Sequence, residues 1–119
     1  MPAYMLLLHQ SPSKFRDLSP EEIQQIVARY KAWREDLVRQ NRLRGGEKLS
    51  NDGGRHLRIQ GGRVSVTDGP YSEAAEVLGG YFAIEAASYD EAVEIARTCP
   101  HLTGEQWIEV RQIDSIREG

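Results

Sequence analysis

The sequence predicts an α+β fold, a ferredoxin-like βαββαβ domain whose antiparallel sheet carries both helices on one face. Two capping signatures, each followed by apolar residues at helical spacing, indicate two helices. Short apolar or alternating runs before, between and after these helices indicate the strands. A hairpin with a Gly-Gly turn interrupts the pattern in the middle of the chain, and we interpret it as an insertion.

Length and composition limit the classes of protein to consider. A chain of 119 residues is expected to form one domain, 1–119, large enough to bury a core without disulfides or metals. Its net charge of −3 argues against direct nucleic-acid binding, which requires a basic surplus. No apolar run approaches the length of a membrane span, and the N-terminus does not resemble a signal peptide. Cys99 is the only cysteine, which suits the reducing cytoplasm, so we expect a cytoplasmic protein.

The first strand and the first helix have the clearest signals. Tyr4 to His9 is a short apolar run between prolines, typical of a buried strand. Ser19-Pro20-Glu21-Glu22 is a capping box with proline at the first helical position. The helix is predicted from about Pro20 to Asn41, because an apolar stripe continues at helical spacing through Ile23, Ile26, Val27, Tyr30, Trp33 and Leu37.

The middle of the chain predicts one weak strand and a hairpin. Arg42 to Ser50 reads as a strand that is broken or bulged at Gly45-Gly46. The segments 56–59 and 64–66 alternate between polar and apolar residues, and Gly61-Gly62 connects them as a tight turn.

A long loop follows the hairpin and precedes the second half of the domain. It opens with Asp68-Gly69-Pro70, the strongest turn signal in the sequence, and we interpret Gly79-Gly80 as its end. Tyr81 to Ala86 is then an apolar strand. Loops of this length are often functional, so this segment is the first place to look for a site.

The end of the chain predicts a short helix and a closing strand. Ser88 to Glu91 is a second capping box, and the helix that it opens is expected to stop near Cys99-Pro100. Trp107 to Ile113 alternates as the last strand. Because the apolar runs of the first and fourth strands are not one-sided, both faces of the sheet are expected to be covered. We therefore predict a homodimer in which two sheets pack face to face.

Several segments resemble the YCII-related family, in its DGPF-domain branch. They are Thr67-Asp68-Gly69-Pro70-Tyr71, with tyrosine where the motif has phenylalanine, then Glu73, Leu78-Gly79-Gly80-Tyr81, and shorter matches near both ends. The resemblance implies a ferredoxin-like subunit that pairs into a dimeric α+β barrel, in agreement with the pattern of elements.

The resemblance implies two classes of function. One relative in the wider superfamily is a dehydrochlorinating enzyme for which a His–Asp pair is the proposed active centre. This implies a protein that binds a small organic molecule and catalyses a proton-transfer or lyase-like step. Other DGPF-type proteins are associated with sigma factors of the extracytoplasmic-function class, which implies a non-catalytic accessory or regulatory module.

Asp68 and His101 are the predicted catalytic pair. Asp68 has two compatible interpretations, a carboxylate that stabilises its turn and a carboxylate that orients a histidine or acts as a base. His101 follows the second helix, either as a loop residue at the helix C-terminus or as a general acid/base with a pKa suited to neutral pH.

His9, Tyr71 and Tyr81 are the predicted substrate-binding residues. His9 ends the first strand and is expected to reach the same pocket, and the two tyrosines would shape it. Tyr30 and Trp33 have two interpretations, as members of the same aromatic pocket or as core or dimer contacts, and their place on the helix stripe favours the second. The sequence has no His-x-His, Cys-x-x-Cys or phosphate-loop spacing, so no metal and no cofactor are predicted.

Overall fold

A computed structural model describes residues 1–13, 16–50, 53–68 and 76–114 of the chain. These residues form an α+β fold, as predicted, with six strands and two helices. In chain order the elements are β1 (Ala3–Gln10), α1 (Pro20–Arg39), β2 (Leu43–Lys48), β3 (Arg55–Gln60), β4 (Arg63–Asp68), β5 (Val77–Glu85), α2 (Tyr89–Arg97) and β6 (Trp107–Gln112).

Four of the strands form one antiparallel sheet in the order β2-β5-β1-β6. The central strand β1 pairs with both neighbours, so that Leu6 lies opposite Phe82 on one side and Val110 on the other. The remaining strands, β3 and β4, form a separate two-stranded sheet. With that hairpin set aside, the element order agrees with the predicted βαββαβ pattern.

The capping box of α1 is present as predicted. The Ser19 hydroxyl accepts a hydrogen bond from the Glu22 amide at 3.1 Å, and the Glu22 carboxylate accepts one from the Ser19 amide at 3.0 Å. These hydrogen bonds, that from the Ser19 backbone first, lower the pKa of Glu22. The helix ends at Arg39, two residues before the predicted end, and Asn41 follows with a φ of 60°.

The second capping box is only half formed. Ser88 accepts from the Glu91 amide at 3.2 Å. The Glu91 carboxylate accepts from the Ala87 amide at 2.9 Å and from Arg42 at 2.7 Å instead of from Ser88. A hydrogen bond from a charged guanidinium is stronger than one from a neutral amide, which explains why Glu91 accepts from Arg42 and not from the Ser88 amide. The ion pair connects the start of α2 to the turn that follows α1.

The prediction that Gly79-Gly80 ends a loop is wrong, because both glycines lie inside β5. Strand β5 begins at Val77, before the predicted start at Tyr81. The glycines permit close approach: a Cβ at Gly80 would lie 2.8 Å from the Glu47 carbonyl oxygen, and one at Gly79 would overlap the Gln10 side chain. The glycine pair that was interpreted as a turn instead marks close packing between β5 and its neighbouring strands.

The core lies between the helices and one face of the four-stranded sheet. Leu6 and Ile84 from the sheet are fully buried, and Leu37 of α1 and Ala92 and Ala96 of α2 pack in the same cluster. Cys99 is buried in this cluster, as expected for a small apolar residue. The opposite face, called here the open face, carries half-buried side chains that alternate with those of the core: Met5, Leu7, His9 and Ala83.

The β3–β4 hairpin has an apolar face that the chain leaves exposed. Gly61 and Gly62 form its turn with φ values of 57° and 78°. On one face of the hairpin, two directly opposed pairs are between 59% and 71% exposed, namely Leu57 with Val66 and Ile59 with Val64. Within the described ranges, neither helix is long and apolar enough to cross a membrane.

Candidate functional site

A cavity of about 640 Å³ lies between the N-terminal half of α1 and the sheet. It exists because α1 packs closely only near its C-terminal end, where Leu37 is buried and Trp33 meets Phe82 edge to face at 5.0 Å. Nearer the N-terminus, Ile23 and Ile26 are half-buried and Val27 is 55% exposed. The volume falls within the range of small-molecule pockets. Its apolar lining comes from Leu8, Ile23, Ile26, Val27 and Phe82.

His101 and Tyr30 form a hydrogen-bonded pair in the cavity wall. The His101 ring is 1% exposed, and its Nε2 lies 2.8 Å from the main-chain oxygen of His9. Since a carbonyl only accepts, Nε2 carries the proton. In the neutral ring Nδ1 is then an acceptor, and the Tyr30 hydroxyl donates to it at 2.8 Å.

Tyr30 is held in its protonated form. Burial raises its pKa, the nearby Cys99 raises it further, and a hydrogen bond with the Gln106 side chain opposes the shift only in part. Gln106 also donates to the main-chain oxygen of His101 at 2.8 Å, which fixes the loop after α2. The phenol is therefore a hydrogen-bond donor to His101 at neutral pH.

Gln10 brings a second polar group to the cavity. It is 4% exposed, it is one of the lining residues, and its amide lies against Gly79. Within the described part of the chain, no hydrogen bond is made by this amide. Among the described residues, no fully buried side-chain nitrogen or oxygen lacks a hydrogen-bond partner, so the amide atoms of Gln10 are accessible at the cavity surface. The close approach that Gly79 allows places the amide there.

Three cationic side chains line the same cavity, Lys31 and Arg34 on α1 and Lys48 at the end of β2. Arg34 donates to the Gly46 carbonyl at 3.3 Å, and Lys48 donates to the Leu49 carbonyl at 3.1 Å. Glu47 also borders the cavity. However, Glu47 pairs with Tyr81, which pairs with Leu7 of the open face. Side chains alternate along a strand, so the Glu47 carboxylate projects from the open face.

A different cluster surrounds the side chain of His9 on the open face. Its Nε2 donates to Glu109 at 3.1 Å, and its ring stacks on Trp107 at a centroid distance of 4.1 Å and an angle of 9°. The second Glu109 oxygen accepts from Arg111 at 3.1 Å. The hydrogen bonds from Arg111 and His9, in that order, lower the pKa of Glu109. The cluster thus contains a histidine paired with a carboxylate.

The predicted site residues lie in different parts of the fold. His101 lines the cavity. His9 reaches it only through the main-chain oxygen that binds His101. Tyr81 borders the cavity, but its pairing with Leu7 directs its side chain to the open face. Asp68 lies on β4 with its side chain 87% exposed, and its carboxylate pairs with Arg55 at 3.3 Å, so this chain gives it no part in orienting the buried His101. Tyr71 lies outside the described residues.

Sequence reasoning missed the residues that give the cavity its chemistry. Tyr30 was considered for an aromatic pocket, but the core or dimer interpretation was favoured, and Gln10 and the three cations received no role. A signal for Gln10 was present, because a polar residue directly follows the apolar run of β1. Among the residues that the structure describes, no group of three or more His, Cys, Asp or Glu side chains is arranged to hold a metal ion.

Two comparisons with known proteins bear on the identity of the chain. A sequence model of the YCII-related domain matches residues 3–116. The uncharacterized protein R00369 of Rhizobium meliloti (strain 1021) is 30% identical over 95 residues, which cover 79% of this chain and 77% of that protein. The match to the domain model therefore includes both helices and all six strands.

Proposed function

The chain belongs to the YCII-related family, and we propose that it binds a small, largely apolar organic molecule in the cavity between α1 and the sheet. The observation that carries this proposal is the cavity itself, about 640 Å³ with apolar walls and a few convergent polar groups. Pockets with that combination of size and lining are the usual sites of small ligands. The ferredoxin-like arrangement supplies the sheet floor and the helical roof.

The His101–Tyr30 pair supports a proton-transfer step as the chemistry of this pocket. A proton removed from the ligand passes to the Tyr30 oxygen as the Tyr30 proton passes to Nδ1 of His101. The resulting imidazolium is stabilised by the bond from Nε2 to the His9 carbonyl, which is already in place at 2.8 Å. Tyr30 occupies the position beside His101 that the sequence analysis assigned to Asp68. The catalytic role of Asp68 stays a prediction.

The ligand proposal is tested by filling the cavity. Ile26→Trp places an indole in the space under α1, and Ala28→Trp places the same group on the exposed side of the helix, away from the cavity lining. The neutral fluorescent probe N-phenyl-1-naphthylamine is titrated into wild type and both variants. We expect saturable binding to wild type and to Ala28→Trp, and loss of binding in Ile26→Trp. Equal binding by the two variants contradicts the proposal.

We also propose that two copies pair through the open face, as in a dimeric α+β barrel. Met5, Leu7 and Ala83 are half-buried apolar side chains on a face that neither helix covers, and an apolar sheet face needs cover. The native mass of wild type is compared with that of Leu7→Glu on the open face and Ile59→Glu on the hairpin. We expect a dimer that only Leu7→Glu dissociates. A monomeric wild type rules out the pairing.

The alternative function is a non-catalytic accessory or regulatory module that works in the cytoplasm with a sigma factor of the extracytoplasmic-function class. The observation that favours it is the exposed apolar face of the β3–β4 hairpin, since large exposed apolar patches often mark protein interfaces. Val64→Thr and Val66→Thr keep the shape and strand preference of the hairpin but remove its apolar character. Under this alternative, the double variant loses binding to a purified sigma factor encoded beside the gene, and Ile26→Trp does not.

A further inference from the structure

We infer that the ligand of the α1 cavity is an organic anion, with an apolar body under the helix and its charged group at the mouth. This inference rests on the proposed ligand-binding function and specifies its chemistry. The walls alone would suit any apolar molecule. The positive charges at the mouth of the cavity restrict the class of ligand to anions.

The charges at the mouth have one sign. Lys31 and Arg34 are three residues apart on α1, so they lie on one face of the helix. They lie beside Val27 and Tyr30, which line the cavity with them. Lys48 faces them from β2, because it pairs with Gly80, which pairs with Leu8 of the core face. The carboxylate that borders the cavity, Glu47, projects from the other face of the sheet. The result is a cationic mouth on a chain whose net charge is −3.

Within the described residues, the local partners of Lys31 and Arg34 leave their charge uncompensated. Arg34 donates to a main-chain carbonyl, that of Gly46, which is a neutral acceptor. In the described ranges neither Lys31 nor Arg34 forms an ion pair, although α1 contains Glu35 and Asp36 within reach of the same turns. Asp36 pairs with Arg39. An anionic group bound between α1 and β2 would therefore meet the Lys31 ammonium group and the Arg34 guanidinium group without displacing a carboxylate.

The cavity also contains neutral polar groups. Gln10, which is 4% exposed, and the Tyr30–His101 pair line it together with the cations. An amide and a phenol supply hydrogen bonds without net charge. The lining thus combines apolar walls and neutral polar groups with cationic side chains at the mouth. A molecule with an apolar body and one anionic group matches that combination.

Two fluorescent probes that share an aromatic body but differ in charge measure the contribution of the ligand's charge to binding. They are 8-anilinonaphthalene-1-sulfonate, which is an anion, and N-phenyl-1-naphthylamine, which lacks the sulfonate. We expect wild type to bind the anion roughly tenfold more tightly, as a few partly exposed ion pairs would give. The preference should shrink as salt concentration rises, because the mouth is open to solvent.

A matched pair of double variants assigns the preference to the mouth. Lys31→Gln with Arg34→Gln removes two lining charges, and Arg29→Gln with Arg39→Gln removes two charges from the same helix away from the lining. The lining variant should lose most of the preference for the anion, with the affinity for the neutral probe unchanged, and the control should keep the full preference.

Two outcomes overturn the inference and are distinguishable from each other. If wild type binds both probes equally, or if both double variants lose the preference alike, the charge inference fails. In that case, loss of neutral-probe binding in Ile26→Trp still supports the ligand-binding function. If neither probe binds saturably to wild type, the ligand-binding function fails and the inference fails with it.

Discussion

Two histidines lie next to each other in this fold and have opposite surroundings. The His101 ring is 1% exposed, and both its nitrogens bond to neutral oxygens, those of Tyr30 and of the His9 main chain. The His9 side chain is 19% exposed, and it pairs with the charged Glu109 and stacks on Trp107. One hydrogen bond, from His101 to the His9 carbonyl, connects the two residues across the sheet.

The difference shows how partners divide one residue type between two roles. His101 lies in the cavity wall, where both ring nitrogens have neutral hydrogen-bond partners. Its burial makes it part of the core. The His9 side chain has a carboxylate partner, Glu109, and it lies on a surface that water reaches. The variants below test whether burial or charge dominates at each residue.

Removal of the buried ring should have the largest effect. His101→Ala leaves a cavity, deprives the His9 carbonyl of its donor and leaves the Tyr30 hydroxyl without its acceptor. We expect a loss of about 3 kcal/mol in the free energy of unfolding. The exposed hairpin residue His56 is the control, and His56→Ala should change stability by less than about 0.5 kcal/mol. Urea denaturation of both variants measures the difference. Similar midpoints for the two would show that burial does not distinguish His101.

The elements that the sequence predicted well are those with local signals. Ser19 and Glu22 lie within one turn of helix, so their capping box can be read from spacing alone. The Gly61-Gly62 turn and the alternation around it are equally local. Gly79-Gly80 shows the limit, because a pair of glycines signals a turn unless a neighbouring strand requires close approach. That requirement comes from Gln10 and Glu47, which are distant in sequence.

The candidate site depended on contacts that spacing does not encode. Glu109 meets His9 because β6 pairs with β1 in a register that no local pattern specifies. Tyr30 shares the apolar stripe of α1, and a stripe predicts contact with the core along its whole length. The stripe does not reveal that the N-terminal half of α1 stands over a cavity. Asp68 was chosen for its turn signal, which says nothing about where the hairpin projects.

Loss of the phenol hydroxyl should have an intermediate effect. Tyr30→Phe keeps the ring in the wall but leaves Nδ1 of the buried His101 without its donor. We expect a cost of about 1–2 kcal/mol in the free energy of unfolding. Tyr4→Phe is the control, because Tyr4 is a buried tyrosine of β1 and, within the described residues, its hydroxyl makes no hydrogen bond. Thermal unfolding of both variants gives the comparison. If Tyr4→Phe costs as much, the Tyr30–His101 bond does not stabilise the wall.

The smallest expected effect is a change in how stability depends on pH when Glu109, the partner of His9, is replaced. The pKa of Glu109 is lowered by its hydrogen bonds from Arg111 and His9. A lowered pKa in the folded state adds stability above the unfolded value, near 4.5, and that stability is lost as pH falls through the folded value. Glu109→Gln should therefore be slightly less stable than wild type near neutral pH, and its stability should fall less steeply below about pH 4.5, where the two proteins converge. The exposed Glu21 is the control, and Glu21→Gln should leave the acid limb as in wild type. Unfolding midpoints of the two variants are measured between pH 3 and pH 7. If the loss of stability at acid pH is the same in Glu109→Gln as in wild type, the charge of the carboxylate does not stabilise the His9 cluster.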